Sequence, residues 1–561
     1  MVRRVFSLIN KEFGGLHQAA FLLALFSFLS QLLSLCRDRL LAGRFGAGLE
    51  LDIYYTAFRL PDLVYVSIAS FVSVTVLIPF IVNKIEINDT QAVKKFLDSV
   101  FTAFFAVMAL VSLILFFLIP LLAPFLAPGF SPSALDQLIV LTRILLLSPF
   151  LLGLSNLLGS VTQSFKRFLV YTLSPVLYNI GIILGILFFE PIWGLPGLAW
   201  GVILGAWLHF FIQVPSVWRL GLLPKIHFYR PFPWKNLGQV ILISLPRTIT
   251  LAVHQFSLLA LVAIGSTITA GAITVFNMAY NLQAVPLVIV GISYSVAAFP
   301  TLTGLLAGNR KIEFVDQMTS VIRHIIFWSV PATILFIVLR AQIVRVILGT
   351  GEFSWSDTRL TAAALALFVF SVTAQSLVLL FVRAYYAAGM TKKPLIVNSA
   401  SSVLIIFLAL GLKYMFEQLA IIRHFFEILL RVENVPGTAV LMLPLAFSLG
   451  LFINVLIFWY LFRKDFGDNG LAVHRTLGQS LAAGLIIGFV AYGGLQLGSL
   501  VFDKTTFWGI LLQGLVAGLI AIGIGVATLY LLGSFELKEF MASAKSRFWK
   551  IRPIVVESEE I

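Results

Sequence analysis

Apolar stretches recur along the whole chain, separated by short polar gaps, and each is long enough to cross a hydrocarbon core of about 30 Å as a helix of about 20 residues. Fourteen can be placed, near 18–36, 62–83, 97–119, 136–160, 169–189, 194–215, 237–264, 270–299, 319–341, 358–385, 394–414, 438–462, 474–498 and 507–532. The runs are continuously apolar, whereas strands of a membrane barrel alternate apolar and polar positions over about ten residues. The pattern predicts an all-α polytopic membrane protein of about 14 transmembrane helices.

Lys and Arg fall in every second gap. One set of gaps holds Lys84, Lys94 and Lys95; Lys166 and Arg167; Arg219, Lys225, Arg230 and Lys235; Arg310 and Lys311; Lys392 and Lys393; Arg463 and Lys464; the tail adds Lys538, Lys545, Arg547, Lys550 and Arg552. The gaps after spans three, five and seven hold none, and those after nine and eleven hold a few, including Arg345, Arg423 and Arg431. Cytoplasmic loops of membrane proteins carry the excess of basic residues. The alternation therefore predicts an even number of spans with both termini cytoplasmic. Met1 to Leu16 is basic and amphipathic without a cleavage site, so no removed signal peptide is expected and the first span is its own insertion signal.

Composition agrees. Of 561 residues 60% are hydrophobic and 11% charged, with a mean hydropathy of +1.00, against a charged share of about a quarter in soluble domains. The net charge of +14 is spread over short loops and tails with no continuous patch, so no nucleic-acid partner is expected. Cys36 stands alone, which excludes an internal disulfide framework and a cysteine pair for a metal.

Motifs repeat at a separation of about 220 residues. Pro175 and Asn179 follow the basic Lys166-Arg167 gap as Pro394 and Asn398 follow Lys392-Lys393; Gly129-Phe130-Ser131 precedes the fourth segment as Gly351-Glu352-Phe353-Ser354 precedes the tenth; the second and eighth segments end in Pro79 and Pro300. Proline and asparagine are common at helix starts, so any one pair is weak. Together they predict two pseudo-symmetric six-helix lobes in the same orientation plus two C-terminal helices. The expected division is a cytoplasmic N-terminal segment 1–17, an N-lobe 18–235, a second repeat 236–436, last helices 437–534 and a basic tail 535–561. Phe416 to Val432 reads as an amphipathic helix on the outer surface.

Polar residues inside spans are expensive and mark function. One gap on the outer side breaks the charge rule, with Arg37, Arg39, Arg44 and Arg59 set among Asp38, Glu50, Asp52 and Asp62, next to Ser30, Gln31 and Pro61. Arg44 and Asp62 read as ion-pair partners sealing a helix junction. Arg37 reads as facing a wet cavity, where a guanidinium suits a phosphate or pyrophosphate because its planar fork binds oxygens bidentately. Arg247 and His254 share one face of the seventh segment, two turns apart. Asn281, Gln283, Arg383 and Asn398 suit either an interior lining or interhelical hydrogen bonds. No phosphate-cradling glycine loop, metalloprotease motif or nucleophile elbow is present, so no catalytic residue, metal or cofactor is assigned and transport is the expected task.

The stretch Ser30 to Lys84 resembles the opening of the MurJ (MviN) family of lipid II flippases, within the multidrug/oligosaccharidyl-lipid/polysaccharide exporter superfamily. The resemblance rests on Arg37-Asp38, Phe45-Gly46-Ala47-Gly48, Asp52, Ala57-Phe58-Arg59-Leu60-Pro61 and Pro79, and later on Ala127-Pro128-Gly129-Phe130, His254-Gln255-Phe256-Ser257, Gly351-Glu352-Phe353 and Asp357-Thr358. It implies a monomeric transporter of the bacterial inner membrane that moves a lipid-linked cell-wall precursor outward by alternating access, with membrane lipids and the cell-wall synthesis machinery as partners. It further implies a cationic cavity, with Arg37 matching a cavity arginine of the family and Asp52 its polar-junction aspartate; Arg59, Gln31, Asn281 and Arg247, the last where the family usually has a small residue, are expected to complete the substrate-binding set, and Asp38, Arg39, Ser30, His254 and Pro61 to act in structure or gating. The chain departs from the family at Gln31, Tyr65 and Asn281, where the family has arginines, and at Ser70-Phe71-Val72. Another lipid-linked oligosaccharide, a drug or cation exported by the same superfamily, and a non-transporting scaffold remain open alternatives.

If Arg247 restores part of the missing cavity charge, R247A lowers the rate of precursor flipping; an unchanged rate rejects that role.

Overall fold

The computed structural model describes residues 16–69, 90–227, 234–467 and 470–549, together with Leu77 and Ile81. The segment Met1–Gly15, the turn Ser70-Phe71-Val72, Pro79, Lys84, Arg230 and the tail beyond Trp549 lie outside the described residues, as does the side chain of Arg247. The described residues form helices and their connecting turns, with no strand among them.

Helices stand where the apolar runs predict them and extend past the hydrocarbon width. The runs 97–119, 319–341 and 394–414 become Thr90–Leu126, Lys311–Leu348 and Lys392–Gln418. Proline explains one break: 136–160 splits into Pro132–Leu145 and Leu147–Ser164, because Pro149 has no N–H to continue the ladder to the carbonyl four residues back. The run 270–299 is interrupted by a π turn at Leu287–Ile292, directly after Pro286. Eleven described helices are long and apolar enough to cross a membrane, twelve if the pair Trp355–Phe370 and Val372–Ala387, bent by 40°, counts as one span. The expected fourteen are not reached among the described residues. Span two runs into undescribed residues, and the opening helix Leu16–Phe45 carries Arg37, Asp38, Arg39 and Arg44 in its second half.

Two compact units compose the chain: Met1–Leu282 with Ile347–Phe368 and Met390–Asn454, and Gln283–Val346 with Val369–Gly389 and Val455–Ile561.

In the first unit the opening helix packs on Phe168–Leu184, which packs in turn on Leu195–Phe211. Lipid gives no hydrophobic drive between helices, so close backbone contact does the work. A Cβ on Gly201 would fall 2.4 Å from the Gly185 Cα, so only glycine fits that crossing. The loops with repeated motifs close on helix ends. Gly351, at φ 51°, lies so near the end of the opening helix that a Cβ would fall 2.1 Å from the Gly43 carbonyl oxygen, and Glu352 donates its N–H to that oxygen at 3.0 Å. Gly129 does the same at the end of the helix Trp234–Ser266, donating its N–H to Ser266 Oγ at 3.1 Å. The expected surface helix is present as Ala420–Leu430, exposing Ile421, Phe425, Ile428 and Leu429.

In the second unit Gly470–Val501 and Phe507–Leu531 pack along each other, and the tail helix Phe535–Trp549 docks near their ends. Glu536 is 1% exposed and accepts from Arg323 Nη2 at 2.7 Å, Arg323 Nε at 2.8 Å, Thr476 Oγ1 at 2.6 Å and Ser534 Oγ at 2.9 Å. Leu537 enters an apolar cluster with Phe327, Ala483 and Leu529, and the Phe540 ring meets Trp328 edge to face. Burial pushes the Glu536 carboxyl up, but the hydrogen bonds from Thr476, its own backbone, Arg323 and Ser534 outweigh it and hold the group below its ordinary value.

A carboxyl held low in the folded state stabilises it at pH above the unfolded value and loses that contribution as pH falls through the folded value. Docking of the tail helix is therefore complete at neutral pH and weakens below the ordinary carboxyl value of 4.5. Protease cleavage of the tail should accelerate in that acidic range, and E536Q should give fast cleavage already at pH 7; a pH-independent rate contradicts this.

Candidate functional site

Arg37 and Asp38 are neighbours on the opening helix, and such neighbours diverge on a helix surface. The pair meets because the long guanidinium folds back: Nε and Nη2 donate to Asp38 Oδ1 at 3.0 and 2.7 Å. Nη2 also donates to Ser34 Oγ at 3.1 Å, and Nη1 to Asn179 Oδ1 at 3.4 Å. Asn179 Nδ2 in turn donates to Ser30 Oγ at 3.1 Å, and Asn281 Nδ2 donates to Asp38 Oδ2 at 3.1 Å. Ser30, Arg37, Asp38, Asn179 and Asn281 thus form one polar chain across three helices of the first unit. The charge of Arg37 is compensated by a carboxylate that is almost completely buried.

Asp52 is 1% exposed and both its oxygens are occupied: Oδ2 accepts from Gly271 N at 2.7 Å, and Oδ1 from Thr274 N and Thr274 Oγ1, each at 2.7 Å. The first backbone N–H groups of a helix have no intrahelical partner and carry the positive end of its dipole. Asp52 supplies what the helix Ala272–Pro286 lacks at its start. The backbone at Gly271, φ 87°, follows from the same approach, since a Cβ there would fall 2.0 Å from the Ala47 carbonyl oxygen. Asp52 is therefore a staple between two helix starts and does not line the cavity where the sequence expectation put it.

Arg59 differs from Arg37. Its Nη2 donates to Asn277 Oδ1, while its Nε, although buried, has no hydrogen-bond partner among the described residues, and neither has the buried Tyr55 hydroxyl. Both face a cavity of about 300 Å³ that Arg37, Asp62, His254 and Asn281 also line. Tyr54, Tyr178 and Tyr280 complete a phenolic wall. Asp62 makes no hydrogen bond and no ion pair through its side chain among the described residues, contrary to the expected ion-pair role, and Arg59 supplies the compensating field that reaches it.

Other expected residues lie elsewhere. Arg44 pairs with Glu190 at 3.1 Å and, with Arg39 and Thr350, borders a second hollow of about 380 Å³. Arg39 Nη1 donates to the Ile347 carbonyl at 3.3 Å. Gln31 is half-buried and Pro61 buried, and neither lines the cavity. Tyr65 accepts from Asn156 Nδ2 at 2.7 Å, outside the lining. Gln283 accepts from Gln375, Arg383 donates to Ser295 and Asn454 to Asn398, so these are interhelical bonds. Among the described residues no group of three or more His, Cys, Asp or Glu could hold a metal ion.

The tyrosines and Asn277 were missed. A signal was present: Tyr55 and Arg59, like Asn277 and Asn281, stand four apart and so share a helix face. The arrangement suits an oxyanion, which can accept from the orphan Arg59 and Tyr55 donors.

A family model described as Lipid II flippase MurJ matches residues 41–516. A probable lipid II flippase MurJ of Rhizobium tropici is 26% identical, the match covering 67% of this chain and 73% of that protein. A lipid II flippase MurJ of Burkholderia cenocepacia is 24% identical over 68% of this chain and 75% of that one. Among solved structures, a lipid II flippase MurJ in an inward closed conformation shares the fold with a TM-score of 0.70 at 21% identity, covering 93% of this chain and all of that chain (100%). An inward-facing multidrug resistance transporter of the MATE family, in the MOP superfamily, does so with a TM-score of 0.62 at 15% identity, covering 78% and 94%.

Removing Arg37 leaves Asp38 buried with Asn281 as its remaining partner, and breaking a buried pair costs about 3–5 kcal/mol. Removing Arg59 deletes one charge-assisted hydrogen bond, worth about 1.5–3 kcal/mol. R37A should lower the melting temperature in detergent more than R59A; equal losses contradict the division of roles.

Proposed function

The chain belongs to the MurJ family of lipid II flippases, and we propose that its cavity receives the pyrophosphate of the lipid-linked precursor at Arg59, while Arg37 holds the cavity wall in shape. The protein is a multi-pass transporter of the bacterial inner membrane that moves lipid II between leaflets. The observation that carries the assignment to Arg59 is its orphan Nε–H, buried beside the orphan Tyr55 hydroxyl on the cavity wall. An unsatisfied buried donor costs about 1–3 kcal/mol, more when charged. Phosphate oxygens arriving in the cavity relieve that cost, so binding is favoured by groups already fixed in place.

Asn277 and Asn281 support the same site: Asn277, which accepts from Arg59, is anchored to the Ile273 carbonyl at 2.8 Å, and Asn281 to Asp38 at 3.1 Å. The donors that face the cavity, the Arg59 Nε–H and the Tyr55 hydroxyl, favour an anion over the cations that an acidic lining would select. Access alternates between the two sides of the membrane, with both termini in the cytoplasm, a direction supported by the basic loops. Each charge moved across 100 mV is worth about 2.3 kcal/mol, enough for the membrane potential to bias the step. On this reading the transporter works as a monomer beside the cell-wall synthesis machinery that consumes its product.

Two measurements test this. The wild-type protein should rescue a bacterium depleted of its own lipid II flippase, whereas R59A, expressed at the same level and equally folded, should not. In detergent, R59A should bind lipid II at least about tenfold more weakly, the loss expected for one charge-assisted hydrogen bond. Rescue by R59A at wild-type efficiency overturns the assignment.

A further inference from the structure

We propose that Asp62 is a proton-binding site in this cavity, and that a proton on Asp62 removes the negative charge facing the precursor's pyrophosphate at Arg59. The proposal rests on the reading above, in which Arg59 is the pyrophosphate ligand.

Asp62 follows Arg59 by three residues in the short helix Arg59–Val64, so both project from one face, and both line the cavity. The other two aspartates of this region are fully engaged: Asp38 accepts from Arg37 and Asn281, and Asp52 from Gly271 and Thr274. The Asp62 carboxylate accepts no hydrogen bond among the described residues and stands in the field of Arg59 without closing an ion pair. Asp62 lines the same cavity of about 300 Å³, so an anion bound there brings like charge beside an ionised carboxylate, and that cost is relieved by a proton, a metal ion or a closer cation. Among the described residues no second acidic or histidine ligand set gathers around it. Proton uptake is the relief that this geometry offers.

Ionised Asp62 and a bound pyrophosphate are like charges in one cavity and repel each other. A pyrophosphate esterified at both ends stays fully ionised through the neutral range, so the titrating partner is on the protein. The groups facing Asp62 are Arg59 and Tyr65 from its own stretch, Arg37 from the opening helix, Tyr54 and Tyr55 from Leu49–Ala57, Tyr178 from Phe168–Leu184, His254 from Trp234–Ser266 and Tyr280 from Ala272–Pro286. Arginine and tyrosine keep one protonation state between pH 5 and 8, which leaves His254 as the competing titratable group. The ring of His254 lies 6.4 Å from that of Phe447. Protonation of Asp62 moves a solvent proton onto the carboxylate and breaks no other bond, and the net charge of the lining rises by one. Lipid II binding therefore takes up a proton and tightens as pH falls.

The test uses the purified full-length protein in detergent and measures lipid II affinity between about pH 5 and pH 8. The wild type should bind about tenfold more tightly at the acidic end, one unit charge being removed near the ligand. D62N should bind tightly at both ends, D62E should keep the wild-type slope, and so should H254Q. A slope that survives in D62N, that vanishes in H254Q, or that follows sodium concentration at fixed pH overturns the proposal. Wild-type binding with no pH dependence overturns it while leaving the pyrophosphate site standing; no lipid II binding by the wild type overturns both.

Discussion

A charged side chain carried into the bilayer survives only where the protein supplies its partners, because hydrocarbon supplies none. The first unit is organised around that requirement. Asp52 meets it by capping a helix start that lies 219 to 222 residues further along the chain. Arg37 and Asp38 meet it with each other, then extend to Asn179 and Asn281, 142 and 243 residues away. These bonds fix which helices are neighbours, a task that apolar surface cannot perform in lipid, where every leucine face is equally content. Glycine completes the arrangement by letting backbones touch, as at Gly185 and Gly201.

Against that background the exceptions define the site. Arg37, Asp38, Arg44, Asp52, Asn179 and Asn281 all have partners, so the buried Arg59 Nε and Tyr55 hydroxyl stand out, and both belong to the wall of one cavity that Asp62 also lines. A fully satisfied network is rigid and makes good walls; a partly satisfied one is costly unless a ligand completes it. On the proposed reading, the absence of the arginines that the resemblance would place at Gln31, Tyr65 and Asn281 is less damaging than a count of charges suggests. Asn281 serves to hold Asp38, Tyr65 bonds to Asn156, and the guanidinium available to a ligand is Arg59. On that reading binding falls to fewer groups.

Much of the fold was legible beforehand. Apolar runs such as 507–532 and 194–215 reappear as Phe507–Leu531 and Leu195–Phe211, since a helix in lipid needs only its own backbone hydrogen bonds and an apolar surface, both local properties. Breaks were less legible, although Pro149 announces the interruption at Leu146. The site was legible in part. Arg37, Arg59, His254 and Asn281 do line the cavity. Asp52 does not, Arg44 finds Glu190 instead of an acid of its own block, and the tyrosines went unnoticed because a phenol inside an apolar run looks like one more hydrophobe until its hydroxyl is seen to lack a partner.

The amino-acid sequence by itself determined that the chain is helical, that it lives in a membrane, which segments are apolar enough to span it, and that a dense block of charge lies at the end of the opening helix. These follow from composition and order along one dimension. Tertiary structure alone decided which of those charges cancel. Arg37 and Arg59 are the same residue type in the same block, yet one is closed by Asp38, Ser34 and Asn179 while the other keeps a free N–H over a cavity. The difference rests on partners brought from distant segments, and hydrogen bonding depends on ångströms and angles that no linear pattern encodes.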